Sequence, residues 1–367
     1  MAIRRLEPHP VPQAFAAGGA INVELSPKPY TITAMAIVVR ADITTTTATN
    51  LNDYWDRIIS RINISGEGKT YLDYSNMRAA YHHSRFKLKQ FAPRRPTIIA
   101  DSATNSLKQF MYLIHFGVKP FQVGQSGNIE YNPWDLTAGI PPVSSGNLTL
   151  GGTFGGANAP GTNVTVNDAD FDIYLWGVQQ SPGDAPQQYL PQAFPVWSMR
   201  SPTPTATSSA LATQDQIPAG DFLKNIMIMT TDGTGAPRDD DVLNSLEVFN
   251  QLEARSILRY GGQASAVGDY KAAELISQIE LAGAPASDNN VTLGVPALGD
   301  VADEGLVWLP LHKFATRGHS LYGVDLRKVA TGDLQLRYGV ADATGVTLDM
   351  VYERFQLNPA HPANAGV

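Results

Sequence analysis

The chain contains no cysteine, which removes disulfide frameworks, thiol nucleophiles and thiolate metal sites at once. The absence leaves the compartment open but takes away the usual mark of a small secreted domain. Charge is also scarce: 17% of residues are charged and the net charge is -7. Nucleic-acid binders normally show a basic face, so this balance argues against direct nucleic-acid binding and suits a self-repelling soluble surface. No window reaches the ~18 consecutive apolar residues of a membrane-spanning helix. The opening "MAIRRLEPHPVPQ" has two arginines without an apolar run behind them, and is not expected to act as a secretory signal. G-x-S-x-G, the Walker lysine loop and H-E-x-x-H are all missing.

What is present is a chain of 367 residues, 43% of them hydrophobic, enough for two domains of roughly 150 residues each. Residues 1–19 carry Pro8, Pro10, Pro12 and Gly18-Gly19 without a period, and read as an extended arm. From Ile21 the pattern turns to strands: "INVEL" alternates, "YTITAMAIVV" is rich in β-branched residues, and "RIISRINIS" puts Ile58, Ile62 and Ile64 on one face. "GEGKT" is a tight turn. "DYSNMRAAYHHSRFKL" predicts a helix capped by Asp73 or Ser75, and "QFMYLIHFGV" a buried strand. Between Pro182 and Pro218 prolines, Ser, Thr and Gln dominate, which predicts a connector partly packed through Phe194 and Trp197.

After Gly220 the first half restarts. "DFLKNIMIMTTD" echoes "YTITAMAIVVRAD", "VLNSLEVFNQLEARSILRYGGQ" echoes "YWDRIISRINISGEGKTYLDY", and "LVWLPLHKF" matches "FMYLIHFGV". "DYKAAELISQI" is a second helix-like run, and "LYGVDLRKVATGDLQLRYGVADATGVTLDMVYERFQL" repeats the closing pattern of residues 134–178. Ordered correspondences of this kind mean two copies of one β domain. About eight short alternating strands per copy, with few crossover helices, predict an all-β chain of two tandem eight-stranded jelly-roll β-sandwiches with short flanking helices. The expected organisation is a 1–19 arm, a 20–181 first roll, a 182–218 connector, a 219–357 second roll and a 358–367 tail.

Few residues invite chemistry. Asp168, Asp170 and Asp172 in "NDADFDI" share one strand face where calcium would be neutralising, but oxygen ligands usually converge from several segments. A solvated face is the favoured reading, so no metal is expected and these three are weak candidates only; Asp239–Asp241 form a second acidic run. Adjacent His82 and His83 point about 100° apart on a helix and read as a polar face. Among the five tryptophans, Trp55, Trp134, Trp176, Trp197 and Trp308, a sugar-stacking platform is conceivable, but Trp176 and Trp308 sit inside apolar strands and read as core. "GGTFGGANAPG" lies between strands and opens no helix, which weakens a phosphate reading. No catalytic residue and no cofactor follow from the sequence.

The arm, then "VELSPKPYTITAMAIVV", then "RINISGEGKTYLDYSNMRAAYHH", with "LYGVDLRKVATGDLQLRYGVAD" near the end, resembles the double-jelly-roll major capsid proteins of tailless icosahedral viruses with an internal membrane, distant relatives of adenovirus hexon. The resemblance implies a structural protein without enzymatic activity, made in the host cytoplasm and residing in the virion shell. It implies a homotrimeric, pseudo-hexagonal capsomer in contact with neighbouring capsomers and minor capsid or penton proteins. It also places the arm, with Arg4 and Arg5, near the internal viral membrane. The competing class is a carbohydrate-binding or glycan-processing double β-sandwich, and a third is a tail or baseplate-type structural protein.

Overall fold

The structure, a computed structural model, describes residues 2–9, 14–25, 28–45, 54–93, 106–143, 146–159, 164–208, 211–231, 242–260, 277, 305–313, 321–343 and 345–365. The chain forms two compact units: Met1–Trp197 with the C-terminal Gln356–Val367, and a second unit built from the chain between Ser198 and Phe355.

The first unit contains β1 (Ile3–His9), β2 (Ala20–Glu24), β3 (Tyr30–Thr45), α1 (Tyr54–Ile58), β4 (Ile59–Gly66), β5 (Lys69–Tyr74), α2 (Met77–Leu88), β6 (Ser106–His115), β7 (Phe121–Val123), β8 (Ile129–Tyr131), β9 (Leu148–Phe154), β10 (Val164–Gln179) and β11 (Ala193–Pro195). One sheet has the order β1-β10-β3-β6 and the other β2-β9-β4-β5, all antiparallel; β7 and β8 form a separate hairpin. Alternation sets which face is buried. On β3, Met35, Ile37, Val39, Ala41 and Ile43 are buried in register with Leu175, Ile173, Phe171, Ala169 and Val166 of β10. Ile21 and Val23 of β2, Ile62 and Ile64 of β4, and Leu148 and Leu150 of β9 supply the facing layer. Each buried Val, Leu, Ile, Met or Phe side chain among them contributes about 1.5–3 kcal/mol of transfer free energy. In the β4–β5 hairpin both central residues have positive φ, Glu67 at 52° and Gly68 at 77°, the backbone a type I′ turn needs.

The second unit contains β12 (Ser198–Arg200), β13 (Thr213–Gln216), β14 (Phe222–Thr231), β15 (Leu243–Asn250), β16 (Arg255–Tyr260), β17 (Leu306–Leu309), β18 (Val324–Asp325), β19 (Leu334–Val340) and β20 (Thr347–Leu357). β20 pairs with β12 on one side and β14 on the other, and β14 pairs onward with β17. The opposing sheet runs β13-β19-β15-β16. Strand for strand, β12-β20-β14-β17 repeats β1-β10-β3-β6, and β13-β19-β15-β16 repeats β2-β9-β4-β5. This is the all-β fold of two eight-stranded jelly rolls that the repeat implied. One core joins Leu223, Ile226 and Ile228 of β14 with Leu348, Met350 and Tyr352 of β20 and with Leu246, Val248, Leu336 and Tyr338 of the facing sheet.

Several expectations shift. The predicted arm supplies β1, the first strand of the first roll, and the predicted connector supplies β12 and β13, the first two strands of the second. β1 is mostly exposed and β12 only three residues long, so neither writes an alternating pattern. The α2 cap is Asn76, extended at φ -149 and ψ 120, whose side chain accepts from Arg78 N at 2.9 Å; Asp73 instead pairs with Arg61. Ile58 ends α1 rather than sharing the strand with Ile62 and Ile64. The tail folds onto the first unit: Asn358 Nδ2 donates to Pro191 O and Asn364 Nδ2 to Gln192 O, both at 2.8 Å. The second predicted helix lies outside the described residues except for Ser277, which is helical and buried.

Candidate functional site

Asp168, Asp170 and Asp172 project from the outward face of β10, as their spacing required. The register sets Arg40 of β3 opposite Asp170 and Asp42 opposite Asp168. Arg40 bridges two of the three: Nε lies 2.8 Å from Asp170 Oδ1 and Nη2 lies 2.9 Å from Asp172 Oδ2. The guanidinium thus occupies the place between those carboxylates that a cation would need. Among the described residues no three His, Asp or Glu side chains converge in a way that would hold a metal ion. Asp239–Asp241 lie outside the described residues.

Arg4 and Arg5 lie on β1 and are exposed. The Arg4 guanidinium carbon stands 5.2 Å from the centre of the half-buried Trp134 ring, a cation–π geometry worth about 0.5–2 kcal/mol. Leu6, 54% exposed, stands opposite Trp176 of β10.

His82 and His83 do not form a polar surface. All twelve residues of α2 are buried, including Arg78, Arg85 and Lys87. His83 Nδ1 hydrogen-bonds the Tyr74 hydroxyl, and its ring meets Trp197 edge-on at 4.9 Å. Lys87 Nζ stands 4.1 Å from the Trp197 ring centre, and Arg85 lies 3.2 Å from His82 Nδ1. Ser84 Oγ donates to Leu113 O at 2.7 Å, seating α2 against β6. Ser277 takes the corresponding place in the second unit, its Oγ accepting from Trp308 N at 2.8 Å.

The tryptophans are dispersed. Trp197 and Trp308 are buried, Trp176 and Trp134 half-buried, and the Trp55 side chain lies outside the described residues. Trp176 belongs to a satellite cluster with Phe91, Tyr131 and Tyr174 around Ala36, Leu88, Ala92 and Leu113. The first half of the glycine-rich run is strand β9, where a Cβ at Gly152 would collide with the Arg61 carbonyl; these glycines serve close strand packing.

Two polar clusters carried no sequence signal. At the base of the β7–β8 hairpin, Asp135 accepts from Lys119 N at 2.6 Å, Thr137 Oγ1 at 2.6 Å and Thr137 N at 3.0 Å, with His115 Nε2 at 3.8 Å. Burial pushes the Asp135 carboxyl up, but hydrogen bonding and charge from His115, with the Thr137 donors, bring it below its usual value. In the second unit, Asn225 Nδ2 donates to the buried Glu353 and Asn225 Oδ1 lies 2.9 Å from His312 Nδ1. A surface depression of about 380 Å³ sits at the β4–β5 turn between Glu67, Lys69, Thr70, Asn147 and Thr149, and is open and polar. These arrangements tie strands and loops together; none sets a nucleophile beside a base over a cavity.

No protein-family model and no curated protein matches the sequence. Solved structures do match in fold. The major capsid protein of STIV, the Sulfolobus turreted icosahedral virus, shares 14% identity at a TM-score of 0.68, each chain covered over 100% of its length. The major capsid protein of bacteriophage PM2 shares 12% identity at a TM-score of 0.53, covering 97% of this chain and 98% of that one. The PBCV-1 virus capsid chain shares 10% identity at a TM-score of 0.56, covering 97% and 94%. The chain has the double-jelly-roll fold of these capsid proteins.

Proposed function

We propose that this chain is a major capsid protein, a structural tile of an icosahedral virion without enzymatic activity. The observation that carries this reading is the end-to-end match in fold to the STIV coat protein, with 100% of both chains covered and two rolls of one strand order in the same chain. A tile needs repeated lateral faces. Two rolls per chain in a threefold ring give six comparable sandwiches, so the assembly unit is a homotrimer of pseudo-hexagonal outline. Neighbouring capsomers and minor or penton proteins then complete the shell. The acidic balance leaves genome contact to other components.

Arg4 and Arg5 fit the inner side of that shell. Each basic residue near an anionic bilayer gains on the order of 1 kcal/mol, and a shell multiplies a weak contact many times over. Limited proteolysis tests this placement: β1 should be cut in free capsomers and protected in particles that retain their membrane. Equal cutting in both states would place β1 elsewhere.

Light scattering on the purified chain tests the trimer and should return three times the 39.6 kDa protomer. Electron microscopy of concentrated protein or infected material tests the capsid itself. A monomer at micromolar concentration together with the absence of shells would overturn the reading.

A further inference from the structure

β1 is the outermost strand of its sheet, paired with β10 on one side and, among the described residues, with no strand on the other. Such an edge is a template for another strand unless something blocks it. Pro8 stands opposite Tyr174 within the ladder. A proline is tolerated in an edge strand where its missing N–H would point away from the neighbour. Arg4 and Leu6 share that parity, so their backbone groups also turn outward.

The side chains add a symmetry. Leu6 is flanked by Arg5 on one side and Glu7 on the other. Arg5 makes no ion pair among the described residues, and the Glu7 side chain, 3.5 Å from Lys28 Nζ, is still 37% exposed. We propose that β1 pairs antiparallel with β1 of a second copy of this chain across a twofold axis, with Leu6 opposite its counterpart. In this register Leu6 exchanges both backbone bonds with its twin, and Arg4 N–H reaches the Pro8 carbonyl of the other strand. Arg5 faces the second copy's Glu7, and the relation repeats across the axis. On the other face, Trp176 and Leu6 of one copy continue into Leu6 and Trp176 of the next as one apolar row.

Alternative registers are worse. Parity of the outward backbone groups rules out a one-residue slip. The two nearest registers that keep parity set Arg5 against Arg5 or Glu7 against Glu7, and like charges directly opposite are unfavourable. Arginines, a proline and a glutamate disfavour pairing with an arbitrary strand, while the edge is complementary to itself. A trimeric capsomer would carry three such edges, each joining a neighbour only weakly, so that dilute capsomers stay single and the contact is captured by covalent linking or by assembly; the pairing does not depend on the capsid reading.

The absence of cysteine makes the register directly testable. Residues opposite in a hydrogen-bonded antiparallel pair have Cα atoms about 5.5 Å apart, within the roughly 4.4–6.8 Å span of a disulfide. Under mild oxidation the full-length Leu6→Cys protein should form a linked dimer about tenfold faster than Ile3→Cys, because Ile3 opposes His9 rather than itself. Adding Arg5→Glu should slow Leu6→Cys linking several-fold, and Arg5→Glu with Glu7→Arg should restore it. Equal linking of Leu6→Cys and Ile3→Cys, or no restoration by the charge swap, overturns the proposal. If a charge variant fails to fold, the contrast between the two cysteine positions still decides. Linking in protein that forms no shells would leave the pairing standing while the capsid reading fails; shells without Leu6→Cys linking would do the reverse.

Discussion

The two rolls share one strand order but differ along one equivalent face. In the first roll, the outer face of β10 and β3 carries Asp168, Asp170, Asp172 and Arg40 at one end and the half-buried Tyr174 and Trp176 at the other. In the second roll the matching face of β14, β17 and β20 carries Met227, Met229, Trp308, Val351 and Phe355, all buried, with Asn225 and Glu353 buried among these strands. The inner faces are alike in both: alternating apolar residues in register across the sheets. The jelly roll is therefore specified by the inner alternation, and the outer face is left free to specialise. In the first copy it is solvated at its acidic end and covered by Leu88 and Ala92 beside Ala36 and Leu113, and in the second it is buried along β14, β17 and β20.

The sharpest way to test that contrast is to shorten matching side chains. Met227→Ala on the buried face should cost about 2–5 kcal/mol, and Val38→Ala on the half-buried first-roll face less than about 1 kcal/mol. Denaturant unfolding followed by hydrogen exchange over β14 and β3 reads each roll separately. Similar costs at the two positions would show that the first roll's outer face is also covered in solution.

Next in size is the polar pair. Asn225→Ala strips a hydrogen-bond donor from the buried Glu353 and should cost about 2–3 kcal/mol, measured by urea titration. Asn225→Leu, nearer in volume, should recover little, because the carboxylate still loses its partner.

What was legible in the sequence follows the same division. Inner-face residues such as Ile37, Val39, Ile226 and Ile228 announce themselves by period, and with them the fold class and the duplication. β1 was not legible, because a strand exposed along most of its length has no buried face to alternate. α2 misled for a different reason: Arg78, His82, His83, Arg85 and Lys87 spell a solvated helix, yet tertiary packing buries them all. At the acidic stripe, spacing placed Asp168, Asp170 and Asp172 on one face. The residue that neutralises two of them, Arg40, is 130 positions from Asp170, and only the β3–β10 register brings it there.

A pH experiment sharpens the comparison within the first unit. Asp135 is held below its ordinary carboxyl value in the folded state. Its contribution is thus complete above the unfolded value near ~3.9 and is lost as pH falls through the lower folded value. Asp135→Asn should destabilise the first roll by about 1–2 kcal/mol at pH 7, with the difference from the parent shrinking in acid below about pH 4. Hydrogen exchange over β6 at pH 7 and at pH 3 provides the measurement, with β17 as the internal reference. A gap that stays constant with pH would mean that Asp135 acts through packing alone.

The smallest effect belongs to the outer face of the first roll. Arg40, Asp170 and Asp172 are each partly exposed, so solvent screens their attraction. Arg40→Ala should cost only about 0.2–1 kcal/mol, and a double-mutant cycle with Asp172→Ala should return a coupling in that range that fades in high salt. The same variant examines the metal reading of the stripe. With Arg40 present, millimolar calcium should leave the melting temperature unchanged, because the guanidinium already lies between the Asp170 and Asp172 carboxylates. In Arg40→Ala that charge is missing while Asp170 and Asp172 remain side by side on one face of β10, with Asp168 opposite Asp42, so calcium should now raise the melting temperature. Stabilisation of the parent protein by calcium would show instead that the stripe gathers ligands beyond Arg40's reach, and the first roll's outer face would then be a built site rather than a solvated one.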